Sequence, residues 1–257
     1  MKLPDSLRLT IRNFKVNSDP GTIMFMLGLP TLYLLVLGFM YQSLIPAVTF
    51  NNVDVSYTDF LMPGIMAMEV MTAGTVGGSM LWSDRRFFMF EQLLVGPFNR
   101  LSYLFGLIMV SLIFSIIGNT IMLVIFYLFV GKLIFTTMGL IYSILTLFIG
   151  TIIFTSIYLI ISIKTKKMQT YNTITIVLFF VVDFTSSAFY PITDRTPYSL
   201  RVISYINPLT YITDITRSTL VFSSLNNVLS EFLILTIATV IVFGVALKLY
   251  NGVKPGI

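Results

Sequence analysis

The sequence predicts an all-α, polytopic membrane protein with six transmembrane helices. Three observations carry that prediction. Hydrophobic residues make up 56% of the 257 residues and charged residues only 11%, whereas soluble domains are roughly a quarter charged. Three stretches, 22–45, 101–130 and 133–163, contain no charged residue and exceed the ~20 apolar residues that a bilayer span requires. Basic residues sit at the ends of the apolar stretches, a topology signal, rather than on one face of a soluble fold, so the net charge of +5 does not point to nucleic acid.

Residues 1–20 carry Leu3, Leu7, Ile11 and Phe14 at helical spacing, with Arg8, Arg12 and Lys15 between them. That pattern predicts an amphipathic helix on the inner membrane face, capped by Asp5 or Ser6. A positive-inside anchor with no further role is the alternative. Spans are expected at 22–45, 61–81, 101–130, 133–163, 171–190 and 228–247. The second contains one charge, Glu69, the fifth contains Asp183, and the sixth carries Glu231 near its outer end. The third and fourth are long enough that they must tilt or begin outside the hydrocarbon. With the N-terminus inside, most lysines and arginines fall on inner segments and only Lys132, Arg195, Arg201 and Arg217 on outer ones. Both termini are therefore assigned to the cytoplasm of a plasma-membrane protein. The first apolar run is too long for a signal-peptide core and lacks a following small-residue cleavage site, so no cleavable leader is expected.

Two connecting segments are patterned beyond what a loop needs. Residues 82–100 place Phe87, Phe90 and Leu94 on one helical stripe, with Asp84, Arg85, Arg86 and Glu91 around it, and end the stripe at Gly96-Pro97. Such a helix either docks in a partner's groove or lies against lipid. Residues 191–227 are too polar to span and too apolar for a free loop. A re-entrant or interfacial helix pair at the outer face fits, with its irregular backbone buried in protein or facing water.

Much chemistry is excluded. The chain has no cysteine and no histidine, which removes disulfides, thiolate metal sites, the commonest general base and the Ser/His/Asp triad. Gly131-Lys132 is followed by Leu133 and lacks the upstream glycine of a phosphate-binding loop. Gly74, Gly77 and Gly78 lie within a span, where small residues permit close helix packing. The remaining chemical candidates are the intramembrane acids, since a charge there costs ~2.5–3.5 kcal/mol on insertion scales. Glu69 and Asp183 read either as polar contacts in a transport path or as hydrogen-bonded structural acids.

Four stretches together resemble the type 2 ABC-transporter permeases, most closely the drug-resistance, daunorubicin-resistance-like branch. Ser18-Asp19-Pro20-Gly21 leads into the first span, followed by Pro30 and Leu37-Gly38-Phe39. Leu61-Met62-Pro63-Gly64-Ile65 opens the second. The inner-loop stretch runs from Arg85 through Glu91-Gln92-Leu93-Leu94-Val95 to Pro97 and Arg100. The outer stretch is Ile206-Asn207-Pro208-Leu209-Thr210-Tyr211 with Asp214 and Arg217. The resemblance implies a transmembrane subunit of an ATP-driven exporter, paired with a second copy of itself or a paralogous permease and with a separate ABC ATPase. It implies that Arg85, Arg86, Phe87, Phe88, Phe90, Glu91 and Leu94 form the coupling helix, the phenylalanines being anchors in the ATPase. It further implies an outer re-entrant motif of Asn207, Pro208, Leu209, Tyr211, Asp214 and Arg217. No cofactor is expected on this chain, with ATP and magnesium residing in the partner, and the cargo is expected to be amphipathic, drug-like or lipid-like. The rivals are an ion-coupled secondary transporter, an integral membrane transferase and a scaffold subunit.

Overall fold

A computed structural model describes residues 4–44, 47–50, 53–96, 98–130, 136–222, 224–225 and 227–253. Along the chain run α1 (Asp5–Asn17), α2 (Pro20–Leu44), β1 (Val48–Phe50), β2 (Val53–Val55), α3 (Tyr57–Arg86), α4 (Met89–Val95), α5 (Arg100–Val130), α6 (Thr137–Lys164), α7 (Met168–Phe184), α8 (Tyr198–Ile206), α9 (Pro208–Leu220) and α10 (Val228–Asn251). The strands pair antiparallel, Val48 opposite Val55, a small feature that the sequence pattern did not announce.

Local chemistry starts the helices. Asp19 accepts the Thr22 amide at 3.0 Å and Pro20 occupies the first helical position of α2, the arrangement that suits an N-terminus. The Ser56 hydroxyl oxygen accepts the Asp59 amide to cap α3, and Thr136 does the same for α6 through Gly139. For α1 the expected cap is displaced. Pro4 holds the cap position without a side-chain bond and Asp5 lies in the first turn, where its negative charge favours the positive end of the helix dipole.

Helix α3 is the axis of the fold. Nearly all its residues are buried, and they form the main apolar cluster with residues of α6, α7, α9 and α10. Its glycines set how close the neighbours come. A Cβ at Gly74 would lie 2.9 Å from the Phe154 Cβ, and one at Gly77 would lie 2.8 Å from the Ser111 hydroxyl. At Gly78 it would meet the Tyr158 backbone. Backbone-to-backbone approach of this kind is how apolar helices gain packing energy when lipid is as greasy as the side chains.

Among the described residues, five helices are long and apolar enough to cross a membrane: α2 over Pro20–Gly38, α3, α5 over Arg100–Leu128, α6 and α10. The protein is thus membrane-embedded and multi-pass. The expected span at 171–190 differs. Its helix, α7, begins earlier and covers 17 residues, about 26 Å at 1.5 Å per residue. It stops at Phe184 because the Thr185 and Ser186 hydroxyls donate back to the carbonyls of Val181 and Asp183 at 2.7 Å each, drawing the chain out of the helical register. The start of the expected 133–163 span and Lys132 lie outside the described residues.

The packing makes a direct prediction. Gly78→Ala should lower the stability of the purified protein by about 1–3 kcal/mol through overpacking, read as a drop in thermal unfolding temperature in detergent. Gly244→Ala, where no atom lies within 4 Å of the added methyl, should not lower that temperature and should raise it slightly if anything, because alanine is the better helix former.

Candidate functional site

The base of α3, α1, α4 and the C-terminal turns of α6 and α10 gather at one end, here the basic end. Arg12 of α1 forks onto Asp84, Nη1 to Oδ2 at 2.6 Å and Nη2 to Oδ1 at 2.8 Å, and the Tyr103 hydroxyl donates to Oδ2 at 2.7 Å. This is the strong, bidentate form of charge-assisted hydrogen bond. The Asp84 hydrogen bond raises the Arg12 guanidinium above its ordinary value, with burial opposing it. Gly106 lets α1 lie against α5, and Phe14 stacks on Phe114 at 5.3 Å. Arg12 is thereby committed to protein, while Arg8 and Lys15 stay at the surface.

Two further cations seat on helix C-termini, the negative ends of their dipoles. Arg85 Nη1 donates to the carbonyls of Ser162 and Ile163 at 3.0 and 3.2 Å, at the end of α6. Arg100 Nη1 donates to those of Asn251 and Val253 at 3.2 and 2.9 Å, at the end of α10. The Tyr250 hydroxyl returns a bond to the Arg100 carbonyl at 2.9 Å.

Between these anchors the chain breaks. Phe88 has φ 58°, a left-handed conformation that is costly for a bulky side chain and persists where surroundings enforce it. The turn sends Phe87 and Phe88 outward, 72% and 61% exposed, and Met89 and Val95 are exposed beside them. Phe90 behaves differently from the expected partner anchor. It is fully buried, edge-on to Tyr103 and Tyr250 at 5.4 and 6.0 Å, so it fastens α4 to its own chain. Arg86 is exposed, and Glu91 lies within electrostatic reach of Arg85. Pro97 and the Leu94 side chain lie outside the described residues. Next to the turn, a groove of about 210 Å³ is lined by Trp82, Arg85, Arg86, Phe88, Lys164 and Lys166.

The opposite end is organised by Arg217, which is fully buried on α9. Its Nε donates to the Phe60 carbonyl at 3.2 Å, Nη1 to Asp214 at 2.9 Å, and Nη2 to the Ser187 carbonyl at 2.8 Å. Its guanidinium carbon sits 3.8 Å from the centre of the Phe60 ring, a cation–π contact. The Ser187 hydroxyl donates to Asp214 at 2.7 Å. Asn207 caps α9 by accepting the Leu209 amide at 2.9 Å, with Pro208 at the first turn, and donates to the Val182 carbonyl at 2.7 Å. Leu209 is buried, and the Tyr211 hydroxyl donates to the Tyr205 carbonyl at 2.7 Å. Asn207, Asp214 and Arg217 thus converge on the last turn of α7 and the non-helical segment after it, which sequence spacing alone had not linked to them.

The acids within the bundle are set apart from both networks. Glu69 is fully buried on α3, its carboxylate filling the space that a side chain at Gly118 of α5 would need, and neither oxygen has a hydrogen bond among the described residues. Asp183 is 1% exposed, with one oxygen likewise lacking a bond. Glu231, at the start of α10, lies within electrostatic range of Asp214.

The described residues form a multi-pass bundle with a pinned, outward-facing elbow at one end and a braced irregular segment at the other. The sequence matches the family model of the ABC-2 type transporter over residues 7–221. The chain therefore belongs to that family of ABC transporter membrane subunits, which are not themselves catalytic. A search of curated proteins gave no match.

Arg217→Lys should unfold more readily than the parent protein. It keeps the charge but loses the fork, leaving buried carbonyls and Asp214 partly unpaired, and breaking such a pair typically costs 3–5 kcal/mol. Thermal unfolding in detergent measures it, with the more accessible Arg12→Lys expected to lose clearly less.

Proposed function

We propose that the chain is the transmembrane subunit of an ATP-driven exporter in the plasma membrane, working as a dimer with itself or a paralogous permease. A separate ABC ATPase binds its basic end. In this reading α7 completes six spans, both termini and the basic end are cytoplasmic, α8 and α9 form the re-entrant pair, and the Phe87–Val95 elbow is the coupling helix. The chain itself binds no cofactor, and ATP and magnesium act in the partner. The cargo is an amphipathic, drug-like or lipid-like molecule.

The observation that carries this reading is an apolar patch of Phe87, Phe88, Met89 and Val95, exposed to solvent on a turn that is pinned from several sides. Exposed aromatics on a rigid frame suit docking, because little side-chain freedom remains to be lost on binding. The basic groove beside the patch favours an acidic rim on the partner, which gives register more than affinity. Closure of two ATPase subunits then moves two elbows. Through Arg85 and Arg100 that movement reaches α6 and α10, biasing a two-state bundle between inward and outward access. Phe90 and Arg85 serve the frame, while Arg86 and the exposed phenylalanines serve the contact. An ion-coupled transporter is the second reading, favoured by buried Glu69, neither of whose carboxyl oxygens has a hydrogen bond among the described residues, and by Asp183, whose Oδ1 has none.

Phe87→Glu combined with Val95→Glu should reduce co-purification with the co-expressed ABC ATPase about tenfold or more, leaving thermal unfolding of the permease unchanged. Undiminished co-purification would remove the elbow as the docking site. Transport in vesicles without nucleotide would favour the ion-coupled reading instead.

A further inference from the structure

We propose that the groove beside the elbow binds the headgroup phosphate of an anionic phospholipid, held at the membrane edge between α3 and the α6–α7 connection. The lipid is a resident of the fold and not its cargo, so the inference does not need the exporter reading. Arg85, Arg86, Lys164 and Lys166 line the groove together with Trp82 and Phe88, and no acidic residue lines it.

The four cations divide into one that is fixed and three that are available. Arg85 Nη1 is held by the Ser162 and Ile163 carbonyls, which sets its guanidinium in the groove wall. Arg86, Lys164 and Lys166 are exposed and form no ion pair among the described residues. The acids nearby do not cancel this charge. Asp84 is committed to Arg12 and Tyr103, and Glu91 sets a single charge against Arg85. A concave site of one sign concentrates counter-ions, and a phosphate offers several acceptor oxygens to such donors.

Depth decides which anion fits. Trp82 and Ile163 lie about a turn or less before the ends of α3 and α6, two membrane-crossing helices. Trp82 is buried against Tyr171, their rings 6.0 Å apart, an aromatic placement typical of the headgroup layer. Arg86, Lys164 and Lys166 follow directly beyond. The groove therefore sits where hydrocarbon gives way to headgroups, and basic pockets between membrane helices at that level take anionic lipids. A partner's acidic side chain would have to enter to the depth of Trp82, whereas a lipid phosphate already lies there. The volume of about 210 Å³ falls below the ~300–1,000 Å³ of small-molecule sites. It suits a headgroup whose chains run outside along the helices. A phosphate seated here ties the elbow, through Phe88 and Arg86, to the end of α6.

Delipidated protein in a neutral detergent tests this by titration with phosphatidylglycerol, with phosphatidylcholine of the same chains, and with inorganic phosphate. Phosphatidylglycerol should raise the thermal unfolding temperature saturably, and the other two at equal concentration should not. Lys164→Gln combined with Lys166→Gln should raise the phosphatidylglycerol midpoint about tenfold or more. Arg8→Gln combined with Lys15→Gln removes the same charge from the exposed face of α1 and should leave the midpoint near that of the parent. Equal stabilisation by the two lipids, or an equal loss in both double variants, would overturn the site. Equal stabilisation by inorganic phosphate would also overturn it, by showing a site for soluble anions. Should the lysine variant fail to fold, Arg86→Gln and the comparison of the two lipids decide it. Co-purification of the ABC ATPase with the lysine variant is scored separately. Its loss with an unchanged lipid midpoint gives the groove to the partner, and its loss beside a raised midpoint leaves the lipid site standing.

Discussion

The constraint on which the structure depends is that a polypeptide buried in an apolar environment must satisfy its own carbonyls. Helices do so automatically, but the chain after α7 is not helical and packs against the core. Side chains, most of them from distant parts of the sequence, supply the missing donors to this segment and to the last turn of α7. Asn207 serves the Val182 carbonyl, Tyr190 that of Phe184, Arg217 that of Ser187, and Tyr57 that of Phe189. Each unpaired group would cost several kcal/mol in such surroundings. Arg217 dominates because one planar fork reaches three elements at once: α3 through Phe60, α9 through Asp214, and the irregular segment itself. Only glycine at position 64 permits this, since a side chain there would collide with the Ala188 backbone.

The same electrostatic logic recurs at the basic end with helix termini in place of an irregular segment. C-terminal carbonyls lack intrahelical donors, and Arg85 and Arg100 supply them to α6 and α10. Asp84 closes the arrangement by holding Arg12 and Tyr103 from two other helices. The elbow between them carries Phe88 in the left-handed region at φ 58°, a costly conformation that the fixed points on either side help to hold. The exposed phenylalanines are therefore presented by a frame whose fixed points belong to four different helices.

The membrane class and most helix positions were legible because hydrocarbon solvation acts on local composition. Glycines 74, 77 and 78 could be read as packing sites for the same reason, as small residues inside an apolar run. The roles of single polar residues were not legible in this way. Phe90 and Phe87 share a stripe by helical spacing, yet one is buried and the other exposed, because the helix breaks at Phe88 and the period restarts. Arg12 looked like a headgroup cation, but its partner lies far along the chain and no periodic signal connects them. The Pro63-Gly64 and Asn207-Pro208 stretches were visible as motifs. What they share, a grip on one short backbone segment, appears only in three dimensions.

Helix α3 joins the two networks in a single rod. Its first turns supply Tyr57, the Phe60 carbonyl and Gly64 to the Arg217 cluster, and its last turn supplies Asp84 and Arg85 to the basic end. Between them its glycines seat it closely against α5 and α6, and packed interiors transmit displacement rather than absorb it. In the exporter reading, a push on the elbow therefore shifts α3 as a body instead of flexing it. The Tyr57 ring, whose hydroxyl donates to the Phe189 backbone carbonyl, would move with its far end. The pocket that Tyr57 lines with Tyr33 and Phe189 would then change shape when the elbow moves, although neither Phe87 nor Arg86 lines it.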